Sequence, residues 1–187
     1  MIVKPIAHVR RDSSGNWIEH TLDDHLREVG QRASEAAACF DSDDWARLAG
    51  LWHDLGKYSR EFQRYIKTVS GYDPEAHIEG KPGRVDHSTA GAIHAIRQLG
   101  AHGRILAYLI AGHHAGLPDW STADTAGKAL SIRISDAQNH LLDRIPAQII
   151  PPEILTQTRP TTRPPGGVDG LHLWLRMLFS CLVAVSY

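Results

Sequence analysis

The sequence predicts an all-α domain, a helical bundle with at most a small β-hairpin at its N-terminal end. Apolar residues recur at spacings of three and four through most of the chain. No alternating run is long enough to build a sheet, and there is no internal repeat. The chain has 187 residues, of which 42% are hydrophobic and 22% charged, enough for one domain spanning 1–187 with a proper core.

The elements follow in order. Ile6 to Val9 and Trp17 to Glu19 can pair around the turn-prone Ser13-Ser14-Gly15-Asn16. Thr21 opens a helix with Asp24 as its capping partner, and Leu22, Leu26, Val29, Ala33, Ala36 and Phe40 mark its buried stripe. His25 lies on that stripe and points inward. A second helix runs from Ser42 or Asp43 to Leu55, with Trp45, Leu48, Ala49 and Trp52 facing the core and Gly56 placed to stop it. A third spans about Ser59 to Val69, carried by Phe62, Tyr65, Ile66 and Val69. Gly71 to Val85, with Pro74, Gly80, Pro82 and Gly83, reads as a loop that delivers Asp86-His87-Ser88 to a fourth helix ending near Leu99. A fifth runs from Ile105 to His114 and stops at Gly116-Leu117-Pro118; a sixth covers Ile132 to Ile145. From Pro146 to Gly167 six prolines make either an ordered crossing loop or a flexible arm. The last helix starts at Val168, and its end, Met177 to Tyr187, is uncharged and too short to span a bilayer, so it reads as a buried core helix.

The formal charge of -1 excludes a chain that binds nucleic acid through its whole field, so any such contact must use a local patch, bound metal or a partner. Cys39 and Cys181 form no C-x-x-C pair and read as buried thiols of a cytoplasmic protein. The start of the chain has no apolar run of the kind that precedes secretion, and no membrane partner is expected. The 12 histidines are the anomaly.

Their placement suggests metal chemistry. His53-Asp54 sits inside an apolar run, where a carboxylate is costly to bury without a partner. Asp86-His87-Ser88 and His113-His114 are likewise flanked by small and apolar residues. Phosphodiester hydrolysis needs a strong nucleophile at neutral pH and positive charge on the developing oxyanions, which two divalent ions about 3.5–4 Å apart supply. A histidine-rich set favours Mn, Co, Ni or Fe, with Mg also admissible. Ser88 is placed to orient a ligand or a phosphate, and Lys57 to hold a phosphate as a point charge or to make a structural salt bridge.

Leu22-x-x-His25-Leu26-x-x-Val29, His53-Asp54-x-Gly56-Lys57, Asp86-His87-Ser88-x-x-Gly91 and Gly112-His113-His114-Ala115-Gly116-Leu117-Pro118 resemble the ordered motifs of the HD superfamily of metal-dependent phosphohydrolases. More narrowly they are similar to the HD nuclease domain of the CRISPR-associated nuclease-helicase of type I systems. Ile6-Ala7-His8-Val9-Arg10 and Tyr58-Ser59-x-x-Phe62-Gln63 add to that likeness. The resemblance implies an HD-domain helical bundle that cuts single-stranded DNA, as endonuclease or exonuclease, in antiviral defence. It implies two divalent-metal sites: His25 and His53 at one, His87, His113 and His114 at the other, and Asp54 bridging. It also implies partners, namely the guide-RNA effector complex and a helicase. No G-x-x-x-x-G-K-[ST] loop is present, so the likeness is to the nuclease part alone.

One departure stands out. Where the family carries an aspartate ligand on its last helix, this chain reads Ser180-Cys181-Leu182-Val183-Ala184-Val185-Ser186-Tyr187. The missing ligand aligns with Ser186, or else with Ala184, which implies that the His25/His53 site is the weaker one. Two readings compete with the nuclease: an HD phosphohydrolase of nucleotides, and an impaired module that binds the CRISPR machinery without cutting. His8, His20, His77, His94, His102, His140 and His172 match no motif and read as surface or packing. Arg60, Arg64 and Lys67 form a row at helical spacing, either solvated or tracking a DNA backbone.

Overall fold

Strands β1 (Ile6–Arg11) and β2 (Trp17–Thr21) pair antiparallel, with His8 opposite His20 and Arg11 opposite Trp17, and the register slips between Ile6 and His8. The computed structural model describes residues 4–72, 85–121, 129–137, 145 and 148–186. Asp12 organises the hairpin turn: its Oδ1 accepts from the backbone N–H groups of Ser14 and Asn16, both at 2.8 Å.

Thr21 caps α1 (Leu22–Ala37), its hydroxyl accepting the Asp24 N–H at 3.3 Å. The inward stripe is Leu22, His25, Leu26, Val29, Ala33 and Ala37; Ala36 is exposed, because the stripe shifts by one position in the last turn. Helix α2 (Asp43–Trp52) ends three residues earlier than predicted, in a His53-Asp54 turn followed by a 3₁₀ turn, Leu55–Tyr58. Helix α3 (Arg60–Ser70) is capped by Ser59 and docks through Phe62 and Gln63, while Val69 is exposed. Gln63 accepts the Ile6 N–H and donates to the Ile6 and Lys57 carbonyls, tying hairpin, 3₁₀ turn and α3 together.

Helices α4 (Ser88–Leu99) and α5 (Gly103–Gly112) pack as a pair, and α6 (Leu130–Ala137) lies on α4. The fifth helix thus closes before His113-His114. The predicted loop over 73–84 with His77, and the continuation of α6 over 138–144 with His140, lie outside the described residues. The proline-rich stretch is ordered where described: α7 (Pro152–Leu155) presents its Ile154 carbonyl to Trp52 Nε1–H at 2.7 Å, and the Thr162 carbonyl accepts from Trp45 Nε1–H at 2.9 Å.

Helix α8 (Gly167–Val185) packs on α1, α2 and α5 through Trp174, Leu178 and Leu182. It covers nearly the predicted range but is barer than a buried core helix. By length and composition it passes for a membrane span, and Val168 and Leu173 are exposed. The core runs between α1, α2, α4, α5 and α8, centred on Trp52, Leu26, Leu55, Leu106, Ile110 and Leu178. Both cysteines are free; Cys39, in the turn after α1, is exposed and Cys181 half-buried, so the expectation of two buried thiols fails.

Candidate metal centre

Two helices end and one begins at the same point. His53 is the C-cap of α2, His113 the C-cap of α5 and His87 the N-cap of α4. His25 reaches the point from the buried face of α1, held in register by Tyr58, whose hydroxyl donates to Asp23 Oδ1 at 2.6 Å.

Glycine makes the convergence possible. Gly56 was expected to stop α2, but the helix ends before it and its φ is not positive. Its N–H instead donates to the His87 carbonyl at 3.0 Å, and an added Cβ would lie 2.3 Å from that oxygen. A Cβ on Gly91 would lie 1.8 Å from the Trp52 carbonyl oxygen. No side chain fits at either place, so the start of α4 seats directly on the end of α2.

At the centre lies Asp54, 1% exposed, with its two oxygens facing different imidazoles. Oδ2 is 3.2 Å from His25 Nε2 and 3.1 Å from His53 Nε2, and those two nitrogens are 3.3 Å apart. Oδ1 is 3.4 Å from His87 Nε2 and 3.5 Å from His113 Nε2, while His87 and His114 bring their Nε2 atoms to 2.8 Å. Lys57 Nζ sits 2.7 Å from Oδ2. The structure therefore gathers His25, His53, Asp54, Lys57, His87, His113 and His114 in one place. Ser88 lies at the rim, its hydroxyl 3.4 Å from Asp86 Oδ1.

The tautomers can be worked out from the partners. Nδ1 of His53 faces the Gly50 carbonyl at 2.7 Å, Nδ1 of His113 the Ile110 carbonyl at 2.6 Å, and Nδ1 of His87 the Val85 carbonyl at 3.1 Å. A carbonyl only accepts, so each Nδ1 carries the proton and each Nε2 presents a lone pair. Burial lowers the pKa of His25 and His87, and of His114 to about 4, which keeps these rings neutral. Burial alone would raise Asp54, but the neighbouring His53 ring and the Lys57 ammonium hold it well below the usual carboxylate range.

Lone pairs thus face a carboxylate in a dry interior, an arrangement that repels itself unless a cation lies between. Asp54 Oδ1 and His113 Nε2 are buried without a hydrogen-bond partner. Metal–ligand bonds of about 2.1 Å set adjacent ligand atoms about 3.0–3.4 Å apart, close to the spacing around Asp54. Two donor groups result: His25, His53 and Asp54; and Asp54, His87, His113 and His114. These residues fit divalent ions.

A match to the family described as Cas3, HD domain covers residues 12–181. The chain belongs to this Cas3 HD-domain family. Its members are metal-dependent nucleases or phosphohydrolases of CRISPR systems, and HD domains bind divalent metals, which agrees with both donor groups. No curated protein matches the chain.

Some residues at this Cas3-type centre escaped the sequence reading. His8 and His20, assigned to surface or packing, flank His25 edge-on with ring centroids at 4.7 and 5.6 Å. Their cross-strand pairing ahead of His25 was the available signal. Arg133 gave none; it reaches the Asp86–Thr89 start of α4 from α6. His94 is packing, as expected, donating toward the Leu155 carbonyl at 3.1 Å and stacked edge-on against Trp52.

Proposed function

We propose that this chain hydrolyses phosphodiester bonds of single-stranded DNA in CRISPR interference, acting with a guide-RNA effector complex and a helicase. The observation that carries the reading is Asp54 standing between two separate imidazole groups, with its Oδ1 and the facing His113 Nε2 buried without a partner. His25 and His53 would hold one ion, His87, His113 and His114 the other, and Asp54 would bridge. Divalent ions held there supply an activated water and charge for the phosphate oxygens. The protein's own part is to keep the imidazoles neutral and aimed, to exclude bulk water, to balance Asp54 with the buried Lys57, and to offer Ser88 to the substrate.

The two groups are unequal: the first offers three protein atoms and the second four. Ser186, the position aligned with the family's last aspartate, is buried and its hydroxyl donates to the Val183 carbonyl at 3.4 Å; Ala184 is exposed. The His25/His53 group is therefore the weaker binder, and activity rises with added Mn, Co or Ni beyond one equivalent.

The test is cleavage of a labelled single-stranded oligonucleotide beside nucleoside mono- and triphosphates, across these metals and with chelator. Metal-dependent cutting of DNA that disappears in His53→Ala and Asp54→Ala supports the reading. Turnover of nucleotides with intact DNA replaces it with a nucleotide phosphohydrolase.

A further inference from the structure

A cleft of about 260 Å³ opens beside the four-atom group, with His87 and His114 on one wall and Ser88, Asp86 and Arg133 on the other. That is just below the ~300–1,000 Å³ of ordinary small-molecule pockets. It has room for one phosphate with its sugar, not for a folded oligonucleotide.

The charges of the far wall are arranged for an anion. Arg133 Nη2 donates to Thr89 Oγ1 at 2.8 Å and lies 3.5 Å from Asp86 Oδ2. Both contacts use one nitrogen, so among the described residues Nη1 and Nε make no further bond. The held nitrogen belongs to both two-pronged edges of the guanidinium, so what it leaves for a phosphate is its charge and the Nη1 and Nε N–H groups used singly. Asp86, the carboxylate on this wall, is occupied: it accepts the Thr89 N–H at 3.1 Å, the Thr89 hydroxyl at 2.5 Å and the Ser88 hydroxyl at 3.4 Å. Its charge is spent on capping α4 and bracing the arginine.

We propose that Arg133 is a substrate-binding residue that takes a phosphate next to the scissile one, seating one nucleotide of the strand in this cleft. The assignment rests on the nuclease reading and adds a direction to it: the strand leaves the metal centre past His114 toward α6. Cleavage then depends on a phosphate on that side, and a substrate ending at the scissile group is cut poorly.

The experiment compares wild type, Arg133→Gln, Arg133→Lys and Thr89→Val on a short single-stranded oligonucleotide. It measures kcat and KM separately, the salt dependence of KM, and Mn²⁺ affinity by calorimetry. Arg133→Gln is expected to raise KM about tenfold, the loss of one charged hydrogen bond, with kcat and Mn²⁺ affinity unchanged. The slope of log KM against log salt becomes shallower by about one phosphate contact. Arg133→Lys recovers part of the loss, keeping the charge without the guanidinium's donor geometry, and Thr89→Val, which removes one anchor but keeps the guanidinium, raises KM less than Arg133→Gln. An unchanged KM overturns the assignment. So does a parallel fall in kcat and Mn²⁺ affinity, or a Thr89→Val effect as large as that of Arg133→Gln, because the arginine then serves only the helix start. If wild type cuts no DNA, the nuclease reading fails by itself. Binding of the labelled oligonucleotide then decides the cleft: weaker binding by Arg133→Gln supports it and equal binding overturns it.

Discussion

Asp54 is the residue on which the interior charges are balanced. Its Oδ2 takes the Lys57 ammonium at 2.7 Å, and both side chains are almost wholly buried. Breaking a buried pair by removing one member leaves the other uncompensated, at a cost of about 3–5 kcal/mol. Metal-free Asp54→Ala is therefore expected to lose stability on that scale in urea unfolding, and Asp54→Ala with Lys57→Met to regain most of it. A double variant no more stable than the single one contradicts the ion-pair account. Ser186 carries a second residue-scale expectation. Ser186→Asp places a carboxylate in a buried position, so the metal-free protein becomes less stable while the weaker metal site gains affinity on the order of tenfold, since binding follows the charge of the ligand set. Calorimetric titration with Mn²⁺ resolves the two sites, and a single unaltered weak step counts against this placement of the missing ligand.

At the scale of elements, the site depends on α4 lying against the end of α2 with no side chain between. Gly91→Ala drives a methyl group into the Trp52 carbonyl, and Gly56→Ala drives one into His87. Each is expected to cost about 1–3 kcal/mol or more, as overpacking does, and to weaken metal binding through displacement of His87. Denaturant midpoints and Mn²⁺ titrations on both variants check this; normal metal affinity in either would mean that the helices can separate without disturbing the histidines. His94 links α4 to α7 by its bond to the Leu155 carbonyl. Burial lowers its pKa, although that bond opposes the shift. The folded protein thus refuses a proton that the unfolded chain accepts near pH 6.5. The stability it contributes is complete above that pH and declines as pH falls through the lowered value. His94→Gln should reduce the acid sensitivity of Tm below about pH 6.5, and an identical pH profile for wild type and variant removes His94 from the account.

For the whole molecule, helices of the bundle could be read because each buries a stripe of 3.6-residue period, and the N-terminal hairpin showed through its turn residues. The candidate ligands were legible as polar islands in apolar runs: His53-Asp54, His87 and His113-His114 lie together in the fold. Periodicity could not tell where α2 and α5 end, because the apolar pattern continues through turns that the burial of Leu55 and His113 keeps inside. Nor could it show Arg133 or the His8–His20 pair, whose nearness to the site comes from tertiary contacts between distant segments. If metal binds the folded protein and not the unfolded chain, Tm rises with metal and falls with chelator, by the equivalent of about 2.7 kcal/mol at a hundredfold excess over Kd. Differential scanning with and without Mn²⁺ measures it, and coincident transitions contradict a preformed centre. The chain directions at that centre have a consequence of their own. Helices α2 and α5 finish there and α4 begins, so two partial negative ends meet one partial positive end beside the Asp54–Lys57 pair, leaving a small negative excess. Such a field draws cations and pushes polyanions away. Under the proposed nuclease activity, loading should accordingly be ordered, with ions first and nucleic acid second, so that an unloaded copy holds a strand only weakly.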